Sequence, residues 1–140
     1  MTSNKIKVGV IGFSDESKFN KSDAIKAFND AFDNIKELFP EREIHIVSGL
    51  TNMGMPRLAY EEAVRRKWKT VGIAPKQSEN YKLFPVDEKI IVGEKFGDES
   101  EVFINYINVL IKVGGGKQSD KELKMSIEKN IPIMDMSNYL

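Results

Sequence analysis

Two kinds of apolar pattern alternate along the chain: short runs rich in β-branched residues, and longer stretches where apolar residues recur every three or four positions. The first kind reads as buried strands and the second as helices with one apolar face. Ile6 to Gly12 is the first run; it ends in glycine and predicts a central strand feeding a turn. Beyond a polar loop from Phe13 to Asn20, Ala24, Ala27, Phe28, Ala31, Phe32 and Ile35, with Leu38 and Phe39, share one face of a helix expected over Ser22 to Phe39. Pro40 stops it. Glu43 to Ser48 returns to strand character. A second helix is expected to begin near Pro56, with Leu58, Ala59, Ala63 and Val64 as its apolar side and Arg65, Arg66 and Lys67 in its last turn.

Thr70 to Ala74 predicts a third strand, ended by Pro75. The polar, irregular stretch from Lys76 to Glu88 is long enough to serve as a functional loop or flap. Lys89 to Val92 predicts a fourth strand, and Glu99 to Asn108 a helix packing through Val102, Phe103, Tyr106 and Ile107. Val109 to Val113 predicts a strand that breaks into three glycines; a last helix over Ser119 to Asn130, carrying Leu123, Met125 and Ile127, and a last strand over Ile131 to Met134 follow. Strands alternating with helices in this way predict an α/β fold: a doubly wound, mainly parallel, Rossmann-like sheet with helices on both faces, joined by right-handed crossovers.

At 140 residues, with no repeat, low-complexity tract or linker, the chain is expected to form a single domain over 1–140. Its 41% hydrophobic and 30% charged residues argue against disorder and against a membrane protein. Lysine plus arginine and aspartate plus glutamate number 21 each, which leaves no net field to draw a polyanion, so no nucleic-acid partner is expected. The lack of cysteine excludes a disulfide scaffold, a thiolate zinc site and a cysteine nucleophile. The amino terminus lacks the pattern of a secretory signal, and no apolar run is long enough to span a bilayer. A soluble, cytoplasmic protein without a membrane partner is the expectation.

In an open α/β sheet, ligands sit beyond the carboxyl ends of the strands, where loops diverge and helix amino ends point inward. Three loops occupy such positions: Gly12 to Asp15, Ser48 to Pro56, and Gly114 to Ser119. In the second, Gly49 and Gly54 allow close backbone approach, Ser48, Thr51 and Asn52 bring polar side chains, and a helix start follows. That set can cradle a phosphate or carboxylate; Thr51 and Asn52 serve equally well as turn formers. In the third loop Ser119 is placed to cap the helix, with Glu122 in a capping-box relation. A capping box leaves Gly114, Gly115 and Gly116 unexplained, since glycines weaken a fold unless the backbone needs unusual angles or close contact. Lys117 is placed to meet a phosphate or simply to be a solvated lysine. The lysine-serine or lysine-threonine pair of a Walker A loop is absent.

These residues resemble the SLOG superfamily, which includes the LOG-like, lysine decarboxylase-like phosphoribohydrolases. The family ends a strand in Pro-Gly-Gly-x-Gly-Thr-x-x-Glu, and Gly114 to Glu122 has the same length and order. Gly115, Gly116 and Glu122 match, Ser119 is a conservative match, and Gly114 and Gln118 depart. Gly49, Thr51 to Gly54 and Ala59 are similar to the family's other glycine loop and its helix, and Thr70 to Pro75 to the strand after it. The resemblance implies a Rossmann-like fold that binds nucleotides or nucleotide-derived ligands, commonly as a homodimer. It also implies that a glutamate at Glu122 works with an arginine to hydrolyse an N-glycosidic bond. That arginine's position falls on or near Glu99, within Phe96 to Ser100, and the arginine itself is not found.

Cleaving a nucleotide's glycosidic bond requires stabilisation of an oxocarbenium-like ribose and a route for water. Glu122 suits the first task; Asp15, Asp98 or Glu99 suit the second, although each singly reads more readily as a solvated loop acid. His45 alternates with Ile44 and Ile46 and reads as a strand residue. One histidine and no cysteine give no transition-metal site, while magnesium held through a ligand phosphate stays open. Trp68 and Tyr60 read as helix-packing or interface residues, and the aromatic content around Tyr60 and Tyr106 favours a homodimer. The leading reading is binding of a nucleotide-like ligand by Ser48 to Gly54 and Gly114 to Ser119. An N-glycosidase or related transferase using Glu122, and a ligand-free regulatory or structural subunit, are the alternatives.

Overall fold

In the computed structural model β1 (Lys5–Gly12) lies inside a six-stranded sheet, flanked by β2 (Glu43–Ser48) and β5 (Val109–Val113). Residues 4–140 are described; Met1 to Ser3, over which the expected domain and amino-terminal reading extend, lie outside them. With β3 (Lys69–Ala74), β4 (Glu88–Ile91) and β6 (Ile133–Asp135), the order is β4-β3-β2-β1-β5-β6, and every ladder is parallel. The chain steps outward from β1 to β4, then crosses back to β5 on the other side of β1. Strand order therefore reverses between β1 and β5. The α/β, Rossmann-like expectation is borne out.

Alternate strand residues feed two cores. Val8, Val10, Ile44 and Ile46 face α1 (Lys21–Leu38) and α2 (Gly54–Arg65), meeting Phe28, Phe32 and Tyr60. Ile11, Val47, Val71 and Leu110 face α3 (Ser100–Tyr106) and α4 (Lys117–Glu128), meeting Phe103 and Ile104. Each such side chain contributes about 1.5–3 kcal/mol on leaving water, far more than helix propensity does, so burial sets where the helices lie.

Several boundaries and faces differ from the sequence reading. α1 starts at Lys21, because the Asn20 side chain accepts the Asp23 N–H at 3.1 Å and caps it. α2 starts at Gly54, before Pro56, and Val64 is 57% exposed. Glu62 is buried on that helix instead, held by Arg65 and Arg66, with Arg66 also reaching Asp33 at 2.8 Å. α3 is shorter than expected, and Ile104 takes the core place expected of Val102. α4 starts at Lys117, Ile127 is exposed, and Ser119, Glu122 and Ser126 are its buried residues. β4 begins one residue earlier than expected. Ile131 and Pro132 precede β6, whose neighbour Leu110 donates its N–H to the Pro132 carbonyl. The expected flap contains a 3-10 turn, Lys76–Asn80, and a bridge between Leu83 and Thr51.

Candidate functional site

A cleft opens beyond the carboxyl ends of β1, β2 and β3, beside the reversal at β1 and β5. Its cavity volume is about 110 Å³, below the roughly 300–1,000 Å³ of a whole small-molecule pocket, so it would enclose part of a ligand and leave the rest along its rim. The predicted residues Gly12, Ser48, Gly49, Thr51, Ser119 and Glu122 line it, and so does Glu99. Asn52, Gly54 and the three glycines of the third loop lie outside that lining.

The glycines divide by cause. A side chain at Gly12 would run into the Val113 carbonyl and Met55, and Gly54, at φ +63°, packs against the backbone of Phe13 and Ser14. Gly114, at φ +85°, lies against the Phe13 ring. These three serve loop packing. Gly49 and Gly115 do not: no positive φ holds them, a Cβ at Gly49 would meet nothing within 4 Å, and one at Gly115 only Asp120 Oδ1 at 3.6 Å.

The two helix starts also differ. At α2, the Met55 N–H donates to the Phe13 carbonyl at 2.8 Å and the Gly54 N–H to the Glu16 carboxylate at 3.3 Å, so the chain's own groups occupy that end. The Asn52 N–H donates to the Lys82 carbonyl, which ties this loop down. At α4, Gly116 is the N-cap, with φ +140°, and no side chain caps the helix. Ser119 lies within the first turn and donates its hydroxyl to the Gly12 carbonyl at 3.3 Å. The expected capping box is therefore absent, because the helix begins two residues earlier and Glu122 is engaged elsewhere. Lys117 is exposed at this open end.

Tyr60 lies beneath the second loop, fully buried, and sequence reasoning missed its role. Its hydroxyl accepts the Ser48 N–H at 3.0 Å and lies 2.8 Å and 2.9 Å from the carbonyls of Gly49 and Val71. Burial pushes its ionisation well above the usual tyrosine value. The Ser48 hydroxyl turns inward to donate to the Val10 carbonyl at 2.7 Å, so the uncrowded side of Gly49, where a Cβ would meet nothing, is that loop's open element. Tyr60→Phe is expected to cost about 1–3 kcal/mol in urea unfolding, since the Ser48 N–H and a carbonyl lose a partner inside the core. A change below about 0.3 kcal/mol would show that the hydroxyl does not hold the loop.

Glu99 and Glu122 are only 5% and 6% exposed. Glu122 Oε2 accepts from the Ser100 hydroxyl at 2.8 Å and from the Gln118 amide at 3.3 Å. Glu99 accepts the Gly97 N–H at 2.8 Å and the same Gln118 amide at 2.9 Å. Burial pushes the Glu122 carboxyl up to about 7, against the hydrogen bonds from Ser100 and Gln118 and reinforced by the neighbouring Glu99 charge. Among the described residues no lysine or arginine lines the cleft. The solvated-acid reading of Glu99 is overturned by its burial. Asp15 and Asp98 remain exposed loop acids, lowered in pKa by hydrogen bonds, first from Ser17 at Asp15 and from the Lys95 N–H at Asp98.

Among the described residues no group of three or more potential ligand side chains could hold a metal, which gives magnesium no support from the protein side. His45 is buried near the other end of β2, its Nε2 without a hydrogen bond and 3.5 Å from Glu43. Trp68 packs on Phe32, with ring centroids 5.3 Å apart. No described helix is long and apolar enough to cross a membrane.

No family model matches the chain, and no curated protein matches it. Solved structures do. A molybdenum cofactor carrier protein from Chlamydomonas reinhardtii is 20% identical, with a TM-score of 0.75, over 94% of this chain and 76% of that one. The molybdenum cofactor binding protein from the phototrophic bacterium Rippkaea orientalis gives the same identity, TM-score and coverage. At such identity the likeness shows the fold alone, and the chain shares the parallel, Rossmann-like α/β fold of these proteins.

Proposed function

We propose that the chain binds a small phosphorylated heterocycle, a nucleotide or a nucleotide-derived molecule, with its phosphate at the start of α4 and its remainder in the cleft. The observation that carries this reading is the uncapped amino end of α4, preceded by Gly115, whose backbone neither a special φ nor a neighbouring atom requires to be glycine. Unpaired N–H groups and the helix dipole suit a phosphate there. Lys117 adds a charge at the same end. The solved neighbours are described as carrying or binding the molybdenum cofactor, which favours a binding role over a ligand-free one. The working unit on this reading is a single cytoplasmic domain assembled as a homodimer. Tyr60 no longer supports the dimer, being enclosed in its own chain, while Leu38 and Val64 stay exposed on their helices.

The test is thermal stabilisation by GMP against guanosine and AMP against adenosine. A bound monophosphate at about 100 times its Kd adds about 2.7 kcal/mol to stability. The nucleosides are expected to give far less. Equal effects of nucleoside and nucleotide would remove the phosphate from the account.

A second reading, N-glycoside hydrolysis or a related transfer, is favoured by one specific observation: Glu122 is buried in the cleft with a carboxyl titrating near 7, beside a second carboxylate. Such a pair could stabilise a ribose cation and orient water, although the arginine that the resemblance implies on or near Glu99 is not found.

A further inference from the structure

A second hollow lies at the other end of the sheet, at the amino ends of β2 and β3. Its volume is about 510 Å³, within the roughly 300–1,000 Å³ of a small-molecule pocket and well above that of the cleft. Ile44, Val64 and Trp68 give it an apolar side, and Trp68 packs on the buried Phe32. Its cations are unused: Arg42, Lys67 and Lys69 make no ion pair and no side-chain hydrogen bond among the described residues. Of the two acids in the lining, Asp87 is turned to Thr70, accepting its N–H at 2.8 Å and its hydroxyl at 3.1 Å, and Glu43 stands 3.5 Å from His45 Nε2. Three cations against two carboxylates leave one positive charge over, the balance that one anionic group neutralises.

The backbone fixes the place of one of these cations. α2 ends in a Schellman turn, in which the Trp68 N–H donates to the Ala63 carbonyl at 2.9 Å and the Lys67 N–H to the Val64 carbonyl at 3.0 Å, with Lys67 at φ +63°. Glycine is the usual residue there, and asparagine the next; α4 closes in the same way with Asn130 at φ +58°. A β-carbon makes that backbone unfavourable for lysine. What lysine brings instead is a charge in the lining of the hollow.

We propose that this hollow is a second binding site, for a small organic monoanion: a carboxylate on an aromatic or branched apolar body. Arg42, Lys67 and Lys69 receive the carboxylate, the arginine through its paired N–H groups, and the body lies on Ile44, Val64 and Trp68. The site is remote from the start of α4, so either site stands without the other.

Trp68 is the chain's one tryptophan, so its fluorescence reports on the hollow directly. Titration of the whole chain uses phenylacetate, with 2-phenylethanol, acetate and phenyl phosphate as comparisons. Phenylacetate is expected to give a saturable change with a Kd of about 1 mM or below, and to bind at least about 5-fold more tightly than each of the other three. Lys67→Gly is expected to weaken phenylacetate about 3-fold or more while melting no lower than the parent, because glycine suits the left-handed position. Lys124→Gln, at an exposed place on α4, should change neither. Equal binding of 2-phenylethanol would remove the cations from the site, equal binding of acetate its apolar side, and tighter binding of phenyl phosphate the match to a single charge; each overturns the proposal. So would an affinity that falls as protein concentration rises, which would mean that a second copy covers the hollow, or no change in fluorescence or calorimetric heat up to about 10 mM phenylacetate.

Discussion

Glu122→Gln is expected to be more stable than the parent protein at pH 8, by about 3 kcal/mol, and nearly equal to it at pH 4. Burial raises the Glu122 carboxyl from 4.5 to about 7, so the folded state holds this proton more tightly than the unfolded chain does. The contribution is fully present below about 4.5 and is lost as pH rises through about 7. Glutamine imitates the protonated form: it carries no charge to bury and can still accept from Ser100. Urea unfolding of both proteins between pH 4 and 8 measures the difference, from which the carboxylates remote from Glu122 cancel while the coupling to Glu99 stays included. A variant less stable than its parent at pH 8 would mean that the ionised carboxylate is itself stabilising. The same variant decides the hydrolase reading. If Glu122 stabilises a developing ribose cation, base release from nucleoside monophosphates falls about 100-fold or more. No release by the parent removes that reading, and equal release by both removes Glu122 from it.

Gly115→Val is expected to abolish stabilisation by GMP while leaving the protein folded. The backbone has no positive φ there, and the first atom of the new side chain meets only Asp120 Oδ1 at 3.6 Å, an ordinary contact. The branched side chain would stand where a phosphate must approach the first turn of α4. Gly12→Ala makes the opposite case: its Cβ meets the Val113 carbonyl and Met55, so about 1–3 kcal/mol of stability is lost. Circular dichroism and thermal melts with and without GMP separate the two. Ligand stabilisation surviving in a folded Gly115→Val protein would remove this loop from the site.

The strands were legible because runs such as Ile6 to Gly12 and Thr70 to Ala74 are β-branched and end at glycine or proline. Helix starts were less so. Ser119 with Glu122 looks like a capping box and Pro56 like a first helical residue, yet α4 begins at Lys117 behind Gly116 and α2 at Gly54 behind Met53. Apolar periodicity also could not find a helix that buries Ser119, Glu122 and Ser126, because it looks for apolar residues. At the site, the three loops and Glu122 were readable from glycine spacing and from the resemblance. Which glycines serve packing depends on contacts such as Phe13 against Gly54, about forty positions apart, which spacing cannot encode. Glu99 looked like a solvated acid because its partner Gln118 arrives from another helix. The signal for Tyr60 was present, a hydroxyl-bearing aromatic beside the buried positions Leu58, Ala59 and Ala63, but its three backbone partners exist only after folding.

Backbone amide chemical shifts followed during titration with GMP test the phosphate site most directly. The account predicts that the largest changes fall on the N–H groups of Gly115 to Ser119, with a second set at Gly49 and Thr51 and none at Lys67 or Asp87, which precede β3 and β4 at the opposite ends of the strands. Saturating changes confined to residues away from these loops, or none at millimolar GMP and inorganic phosphate alike, would contradict it.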